Sequence, residues 1–449
     1  MVALPPGPPG LPLLGNVLAF RRDTLGFLLE SSRVHGDVSL YRLGRDAVYF
    51  LRHPDHIKDV MVTHQHSFAK GKGIQWAKLF LGEGLLTSEG EFHTRQRRLA
   101  QPAFHRQRIA TYGEAMTAHA LRCRERLSDG RELDIHAEMM SLTLAVAAKT
   151  LFDADVHTEA PEIAESLGII IGFFPRFALP FASALQKLPL PGNARFDRAV
   201  ALLDRIVYRI IAERRASGED RGDLLSMLLV ADDVEGDGTR MTDRQLRDEV
   251  MTILLAGHET TANALTWTWY LLAQNPEAEA RLHAEIDGAL GGRAPTAADL
   301  PALGYVERVF AEAMRLYPPA WGLGRRALKD HPIGKYTIPA GELVAMSPYV
   351  VQRDARWWPE PARFDPDRFT PEAKAARPRF AYFPFGGGAR QCIGESFAWM
   401  EGVLLLSTIA QRWRFRLAPG QRVEPQALIT LRPRHGIRMV AEARERPGP

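Results

Sequence analysis

The segment from Thr242 to Gln274 constrains the fold of this chain more than any other part of the sequence. Thr242 and Gln245 have the spacing of a helix capping box, and apolar residues follow at helical spacing until Gln274. At ~1.5 Å per residue, a helix over this segment is about 45 Å long. A helix of that length without a heptad pattern crosses the middle of a large domain, so the sequence predicts one long central helix.

Strand patterns lie near both ends of the chain, with helical patterns between them. Residues 39–51 alternate and are interrupted by a turn at 44–46, which predicts a β-hairpin. Helical patterns dominate residues 54–316, short strands are predicted within residues 335–346, and a strand pair is predicted near residues 428–440. The sequence therefore predicts a fold that is mostly α with small β-sheets.

Composition limits the class of protein and its surroundings. The chain has 449 residues, of which 46% are hydrophobic, and a charged, glycine-containing stretch at 231–240 predicts a surface loop. Its two cysteines exclude a disulfide framework and favour a reducing, cytoplasmic compartment. A net charge of +4 gives little support for nucleic-acid binding. The proline-rich residues 1–20 lack a signal-peptide pattern, and no apolar run reaches the ~18 residues of a spanning helix, so we expect no transmembrane anchor.

One of the two cysteines, Cys392, ends a glycine-rich run that begins at Phe385 and precedes an apolar helix predicted over residues 395–409. The glycines let this backbone fold tightly and approach a flat ligand. The free N–H groups and the positive dipole end of the helix are directed at the sulfur, and we expect them to favour the thiolate. With Arg390 two residues earlier, such a thiolate suits a soft metal in an anionic cofactor, and cysteine-ligated haem iron is the best fit. The other cysteine, Cys123, has no companion motif and is predicted to be a packing residue.

A second unusual run lies inside the predicted central helix, at Ala256-Gly257-His258-Glu259-Thr260. A glycine in mid-helix costs up to about 1 kcal/mol relative to alanine. One interpretation is a helix kink in which the Thr260 hydroxyl bonds a carbonyl of the preceding turn. The other is a local opening that admits dioxygen, with Thr260 and Glu259 relaying protons. His258 is expected to point away from that face, toward solvent or packed side chains.

These two runs resemble motifs of the cytochrome P-450 family. Residues 385–394 match every fixed position of its haem-binding loop, Phe-x-x-Gly-x-Arg-x-Cys-x-Gly, and residues 256–260 match its oxygen-activation motif. Glu312, Arg315 and Arg368 are similar to its Glu-x-x-Arg motif and arginine triad, which implies a structural ion network. The matches keep the family's order, so the resemblance covers most of the chain.

The resemblance implies haem b as the cofactor, bound within one large triangular domain that spans residues 1–449 and contains the long I helix. It implies that Cys392 is the axial ligand of the iron, that Thr260 hydrogen-bonds the iron-bound peroxo species, and that Glu259 supplies protons. His93 stands where the family usually has tryptophan, a departure that keeps a ring N–H donor. The other cofactor-binding candidates, several of them for the two propionates, are Arg390, Arg325, Arg97, Lys70, Phe385, Gly388, Gly394, Ala256 and Gly257.

The activity implied by the resemblance is that of a haem-thiolate monooxygenase. Such an enzyme inserts one oxygen atom of dioxygen into a C–H bond of an apolar small molecule, here a fatty acid, terpenoid, steroid or macrolide-like compound. No Gly-x-Gly-x-x-Gly fingerprint follows a predicted strand, so electrons from NAD(P)H are expected through a separate ferredoxin or flavodoxin with its reductase. We expect this partner to dock near Arg95, Arg97 and Arg98.

The substrate pocket is the part of the site that the sequence defines least. Apolar segments predicted to cover it are residues 169–174, 177–185 and 76–86, although any core would contain such segments. Two other functions remain open. One is a peroxygenase that uses hydrogen peroxide, which the retention of Glu259 and Thr260 disfavours. The other is a non-catalytic haem sensor or carrier of apolar ligands.

Overall fold

The computed structural model describes residues 4–153, 159–174, 176, 185–186, 188–231 and 240–444. Two predictions lie mostly or wholly outside the described residues, namely the apolar segment at 177–185 and the surface loop at 231–240. Within the described ranges, no helix is long and apolar enough to cross a membrane.

The helices among these residues vary in length from a single turn to the many turns of the central helix. They are α1 (Val17–Arg22), α2 (Thr24–His35), α3 (Pro54–Lys58), α4 (Lys72–Trp76), α5 (Lys78–Leu81), α6 (Gly90–Ala100), α7 (Arg106–Arg126), α8 (Ile135–Phe152), α9 (Ala160–Phe173), α10 (Pro191–Ser217), α11 (Leu224–Val230), α12 (Asp243–Gln274), α13 (Pro276–Leu290), α14 (Gly304–Leu316), α15 (Pro348–Val351), α16 (Pro371–Ala375) and α17 (Glu395–Ala410). A π turn at Asp59–Thr63 follows α3.

The strands are shorter and lie mainly toward the two ends of the chain. They are β1 (Val38–Leu43), β2 (Asp46–Leu51), β3 (Phe68–Lys70), β4 (Glu132–Asp134), β5 (Leu323–Ala327), β6 (His331–Ile333), β7 (Tyr336–Ile338), β8 (Leu343–Met346), β9 (Trp413–Leu417), β10 (Pro425–Ala427), β11 (Leu431–Pro433) and β12 (Arg438–Ala443). Together with the helices, they confirm a mostly α fold with small β-sheets.

The long helix predicted from the sequence is present as α12, which begins after Thr242 and ends at Gln274. Its capping box is complete, because the Thr242 N–H donates to Gln245 Oε1 at 2.8 Å and the Gln245 N–H donates to Thr242 Oγ1 at 3.3 Å. Most residues of α12 are buried, since it packs against α8, α10, α14 and α17. Burial of this kind stabilises a helix more than intrinsic propensity does.

The largest sheet has the strand order β1-β2-β8-β5-β3, in which the β2–β8 pair is parallel and the other pairs are antiparallel. The hairpin predicted over residues 39–51 is formed by β1 and β2, and Gly44 adopts a φ of 65° in its turn. A second sheet has the order β4-β12-β9, while β6 pairs with β7 and β10 pairs with β11. The five-stranded sheet positions β3 and β5, which both contribute to the candidate site.

Two strands lie near residues 428–440, as predicted, but the prediction that they form a pair is wrong. β11 pairs with β10, whereas β12 pairs with β4 and β9. Arg438 in β12 lies opposite Asp134 in β4, so the pairing joins segments that are far apart in the sequence. A local pattern indicates that a strand exists, but its partner is decided by packing across the whole chain.

Aromatic side chains fix the C-terminal half of α12 against the β-strands. Trp267 stacks on Tyr317 with a centroid distance of 4.1 Å, and its indole N–H donates to the Leu431 carbonyl at 3.0 Å. Trp269 packs edge-on against Phe415 at 4.8 Å. Each such ring pair contributes about 0.5–1.5 kcal/mol beyond simple burial, so this end of the central helix is held firmly.

The Glu312–Arg315 pair in α14 is completely buried. The Arg315 guanidinium forms two bonds to the Glu312 carboxylate, at 2.6 and 2.8 Å, and donates to the carbonyls of Gln352 and Pro361 at 2.8 Å each. The Arg368 Nε lies 3.5 Å from Glu312 Oε1, an ion pair longer than a hydrogen bond. This network joins α14 to the segment that leads to the cysteine loop, and removing one partner of such a pair costs ~3–5 kcal/mol.

Candidate active site

The loop that carries Cys392 is folded tightly against the π turn. Gly388 adopts a φ of 68°, and a Cβ at this position would lie 1.9 Å from the Met61 carbonyl oxygen. Only glycine therefore fits there. The Cys392 N–H donates to the Phe385 carbonyl at 2.9 Å, which closes the loop immediately before α17. Cys392 is thus presented at the start of the apolar helix, as the sequence predicts.

The Gly394 N–H favours the thiolate of Cys392, as the prediction for the helix start expects, but burial acts in the opposite direction. The Cys392 side chain keeps solvent-exposed surface, although protein atoms enclose much of the group. Burial raises the pKa of the thiol to about 11, and it outweighs the opposing effects of the Gly394 N–H and the Arg97 charge. The missing stabilisation is what a metal supplies, since a coordinated thiol is deprotonated outright.

The predicted oxygen-activation run lies on a face of α12 that is partly open. Ala256 is exposed and Thr260 is half-buried, whereas His258 is completely buried, with its carbonyl accepting from the Thr143 hydroxyl at 3.0 Å. Burial lowers the pKa of His258 to about 4, so the ring is neutral and its role is packing instead of contact with solvent. The Thr260 hydroxyl donates to the Ala256 carbonyl at 2.7 Å, so the back-bonded geometry is present. Its oxygen keeps lone pairs that can accept a further hydrogen bond.

The Glu259 carboxylate is buried, unlike the partly open Ala256 and Thr260. Its Oε1 accepts from the Thr430 hydroxyl at 2.5 Å, and Asn263 Nδ2 bonds both the Glu259 carbonyl at 2.9 Å and the Thr430 hydroxyl at 3.1 Å. Burial raises the pKa of Glu259, although Thr430 and Arg432 act in the opposite direction. The carboxyl group can therefore hold a proton, but its hydrogen bond goes to Thr430 and the Thr260 hydroxyl bonds elsewhere.

Five basic side chains predicted to bind the cofactor come together from four segments, and we call them the cation group. The pairing of β3 with β5 sets Lys70 opposite Arg325, α6 supplies His93 and Arg97, and the cysteine loop supplies Arg390. Coulombic repulsion from the Arg390 charge lowers the pKa values of Lys70, His93 and Arg325, which shows that the group converges.

The Lys70 ammonium and the His93 ring form the buried centre of the cation group. Lys70 Nζ donates to the carbonyls of Leu85 and Ser88 at 2.9 and 2.8 Å, and it lies 3.5 Å from His93 Nδ1. When Lys70 carries its proton, its ammonium has no lone pair, so Nδ1 accepts from it and the ring proton is on Nε2. That Nε2 is buried and has no hydrogen-bond partner among the described residues. His93 therefore offers a donor where the family usually has a tryptophan ring.

The remaining cations are only partly neutralised by protein groups. The Arg390 guanidinium pairs with Glu89, but its Nη1 is buried without a hydrogen-bond partner in the described part of the chain. Arg97 Nη1 donates to the Gln391 carbonyl at 2.8 Å, and Arg325 Nη1 donates to the Gly324 carbonyl at 2.9 Å. Backbone carbonyls accept these bonds but carry no full negative charge.

An anionic cofactor fits this arrangement. Burial is the main cause that lowers the pKa of Lys70 to about 7, of His93 to about 4 and of Arg325 to about 10, with repulsion inside the cation group as the next. Carboxylates placed beside the two unpartnered donors would form charge-assisted hydrogen bonds and relieve that repulsion. A cleft of about 990 Å³ adjoins one side of the group, and its lining includes His93, Arg97 and Ala389 but neither Cys392 nor the open face of α12. The chemistry of the residues suits haem: the cation group would hold its propionates, and Cys392 would supply the ligand of its iron.

Three acids around the site, of which two are fully buried, are not predicted from the sequence. Glu89 accepts from the Lys70 N–H at 2.6 Å and pairs with Arg390. Glu249 accepts from Gln96 Nε2 and from a backbone N–H, and burial raises its pKa to about 7. Glu401 in α17 is completely buried, and burial raises its pKa to about 8 against the opposing effect of the Thr261 hydroxyl. A single acid within a helical pattern normally indicates a solvated face, and so gave no signal.

Comparisons with known proteins show the family of this chain. The sequence model of the family "Cytochrome P450" matches residues 5–437. Cyclooctatin synthase of Streptomyces melanosporofaciens is 45% identical over 441 residues, which cover 97% of this chain and 95% of the relative. Cyclooctat-9-en-7-ol 5-monooxygenase of the same organism is 41% identical over 415 residues, or 92% and 90% of the two chains. The structure of a retinoic acid-bound cyanobacterial CYP120A1 superposes with a TM-score of 0.88 at 28% identity, covering 99% of this chain and 100% of the other.

The match to the family extends over nearly the whole chain, and the fold and the relatives support the same assignment. The family confirms the prediction of a haem enzyme that acts on a small apolar molecule and receives electrons from a redox partner. This chain therefore belongs to the cytochrome P450 family and is a haem-thiolate monooxygenase.

Proposed function

We propose that Cys392 holds haem b through its thiolate and that the cation group binds the haem propionates. The observation that carries this proposal is the pair of buried, unpartnered donors, His93 Nε2 and Arg390 Nη1, beside the loop of the exposed cysteine. When bound, the haem supplies the activation of dioxygen and the insertion of one oxygen atom into a C–H bond. The chain's own residues orient the haem, exclude water and deliver protons.

The ligand assignment is tested by the carbon monoxide difference spectrum of the dithionite-reduced protein. Wild type should give the strongly red-shifted Soret band of a thiolate-ligated haem. Cys392→Ala should lose this band, while Cys123→Ala, which removes a buried cysteine distant from the loop, should keep it. A red-shifted band in Cys392→Ala would contradict the proposal.

We also propose that Thr260 and Glu259 control protons at the distal side of the haem. The Thr260 hydroxyl lies on the open face of α12, where its oxygen can accept a hydrogen bond while its own proton is held by the Ala256 carbonyl. The buried carboxyl group of Glu259 can hold a proton, and it can pass that proton on when its hydrogen bond with Thr430 breaks. Thr260→Ala should divert reductant into hydrogen peroxide, and Thr260→Ser, which keeps the hydroxyl, should not. Equal peroxide yields in the two variants would contradict this role.

The substrate is proposed to be a terpenoid. Two relatives that cover more than nine-tenths of the chain are named for cyclooctatin and for cyclooctat-9-en-7-ol, and this supports a terpenoid over a fatty acid. Of the apolar segments predicted to cover the pocket, residues 169–174 form the end of α9, where Ile170 and Ile171 are buried in the core. A library of terpenoid alcohols, fatty acids and steroids, scored by low-spin to high-spin conversion of the haem, tests this choice. A spin shift with fatty acids alone would overturn it.

The electron source is proposed to be NAD(P)H, through a ferredoxin or flavodoxin with its reductase. The docking site is proposed to include α6, where Arg95, Arg97 and Arg98 are all half-buried. Arg97 also bonds the Gln391 carbonyl beside the cysteine, so it joins this surface to the loop. Reduction by an acidic partner should slow as the salt concentration is raised, because screening weakens the attraction between the two proteins.

The two cysteines of the chain are both free, which supports the proposal of a cytoplasmic location.

A further inference from the structure

One carboxylate and two imidazoles converge at a place that the haem chemistry does not use. Asp59 Oδ1 lies 2.6 Å from His64 Nδ1, and Asp59 Oδ2 lies 2.6 Å from His331 Nε2. One ligand atom from each of the three residues lies within 4.8 Å of the other two. This combination of nitrogen and oxygen donors is typical of sites for zinc-type ions.

The backbone is irregular at the point where two of these ligands meet. Asp59–Thr63 is a single π turn, and the His64 N–H donates to the Asp59 carbonyl at 2.8 Å. In an α-helix, side chains five residues apart diverge by about 140° around the axis. The wider π turn brings them onto one side, which aligns Asp59 with His64. Such turns are rare, and they occur frequently at functional sites.

The third ligand comes from a distant segment and is held rigidly. His331 begins β6, its side chain is 4% exposed, and its ring packs edge-on against Phe68 at 4.9 Å and against His64 at 5.1 Å. The His64 side chain is 53% exposed, so the cluster is open to solvent on one side. The cluster therefore has a buried ligand in His331, a carboxylate in Asp59 that contacts both rings, and an exposed ligand in His64 that an entering ion can reach.

We propose that Asp59, His64 and His331 bind one divalent ion of the zinc type, with water in the fourth position. Ligands at ~2.0–2.2 Å from a tetrahedral ion lie roughly 3.3 Å from one another. The two histidines contact different oxygens of Asp59 at 2.6 Å, and one ligand atom from each of the three residues lies within 4.8 Å of the others, so shifts of one to two ångströms reach that geometry. The ion takes the place of the two N–H protons that face the carboxylate: in each neutral imidazole the proton moves to the other ring nitrogen, which frees the facing lone pair for the ion and releases no proton overall.

An ion at this place would cross-link two segments that are 272 residues apart in the sequence. One is the π turn whose Met61 carbonyl contacts the cysteine loop, and the other is the β6–β7 hairpin. The same turn is followed by Gln65, whose side chain accepts from the Ala389 N–H at 2.6 Å. The ion would therefore stabilise the support of the haem-ligand loop from outside the haem site.

The proposal is tested on haem-loaded protein without a histidine tag, dialysed against a chelator and titrated with zinc chloride by calorimetry. Haem loading occupies Cys392, so the thiolate cannot take up the zinc. We expect one ion per chain in wild type and at least a tenfold weaker affinity in His64→Ala. His66→Ala, which removes another exposed histidine two residues away, should bind as wild type does. Absence of stoichiometric binding in wild type, or unchanged affinity in His64→Ala, would overturn the proposal.

A second measurement separates a site that cross-links the fold from weak surface binding. A ligand that binds only the folded state raises the unfolding temperature. Zinc should raise the unfolding temperature of wild type and of His66→Ala, and it should have no such effect on His64→Ala or Asp59→Asn. The haem absorbance of each variant reports whether it has folded. An equal zinc-dependent rise in the folded Asp59→Asn and wild-type proteins would place the ion elsewhere and refute the assignment.

Discussion

Glu249 and Lys70 are connected through the backbone of Leu85. The Leu85 N–H donates to Glu249 Oε2 at 3.0 Å, and the Leu85 carbonyl accepts from Lys70 Nζ at 2.9 Å. Glu249 belongs to the central helix and Lys70 to the cation group, so one residue of the intervening loop joins the two. Gln96 Nε2 donates to the other Glu249 oxygen at 3.0 Å. The position of the buried Lys70 amine therefore depends on a carboxylate in α12 that acts through one backbone residue.

The first prediction concerns this connection. Glu249→Ala removes both acceptors and leaves the Leu85 N–H and the Gln96 amide buried and unpaired, at about 1–3 kcal/mol for each donor. We expect a lower unfolding temperature and faster loss of haem than in wild type. Glu249→Gln keeps one acceptor and should lie between the two. Identical haem-loss rates in all three proteins would show that the loop is positioned by other contacts.

Haem retention should also depend on the ring donor of His93. Loss of a hydrogen bond to a charged group costs ~1.5–3 kcal/mol, which corresponds to roughly tenfold to a hundredfold in affinity. His93→Phe keeps an aromatic ring and loses the donor, so haem transfer to excess apomyoglobin should be faster by that factor. His93→Trp restores a ring N–H and should be close to wild type. Equal transfer rates in the two variants would exclude a role for the donor.

Glu401 gives a prediction on pH dependence. Burial raises its pKa to about 8, from ~4.3 in an unfolded chain. A carboxyl group whose pKa is raised by folding contributes stability at low pH, and this contribution is lost as the pH rises toward 8. Relative to Glu401→Gln, which stays neutral, wild type should lose a few kcal/mol of stability between about pH 5 and pH 8, at ~1.4 kcal/mol per unit of pKa shift.

Thermal unfolding of the two proteins at a series of pH values checks this expectation. The difference in unfolding temperature between Glu401→Gln and wild type should grow steadily from pH 5.5 to pH 8 and then level off. Glu395→Gln, an acid at the start of the same helix, serves as the control and should show no comparable trend. Parallel curves for wild type and Glu401→Gln would mean that the carboxylate has a partner in the folded protein.

Local signals explain which parts of the fold and site could be predicted from the sequence. The capping box at Thr242 and Gln245 specifies the start of α12, and the glycine-rich run specifies the loop at Cys392, because both depend on residues that are close in sequence. The partners of β12 and the protonation of the thiol could not be predicted, since both follow from distant segments. Strand pairing and burial are decided only when the whole chain has packed.

The acids around the cation group show the same limit more sharply. Glu89 and Arg390 form an ion pair across 301 residues, and Glu249 accepts the Leu85 N–H across 164 residues. Nothing within a short window of the sequence marks these acids as partners of distant groups. The resemblance to a family identified the cations of the site, but it carried no information on the carboxylates that hold them. The Asp59–His64–His331 cluster was missed as well, because a π turn is not visible in a periodic pattern.

The bond between Thr430 and Glu259 gives the last prediction, which rests on the proposed role of Glu259 as a proton source. This hydrogen bond lowers the pKa of the carboxyl group, while burial raises it. Thr430→Val removes the bond and keeps the shape of the side chain, so the pKa of Glu259 should rise further and the group should stay protonated to higher pH.

In wild type, the share of reductant that appears as hydrogen peroxide should increase as the pH passes the pKa of Glu259. In Thr430→Val that increase should move to higher pH, and in Glu259→Gln the peroxide share should be high and independent of pH. A Thr430→Val profile that coincides with wild type, alongside a Glu259→Gln variant that still forms product efficiently, would show that protons reach the haem by a route without this carboxyl group.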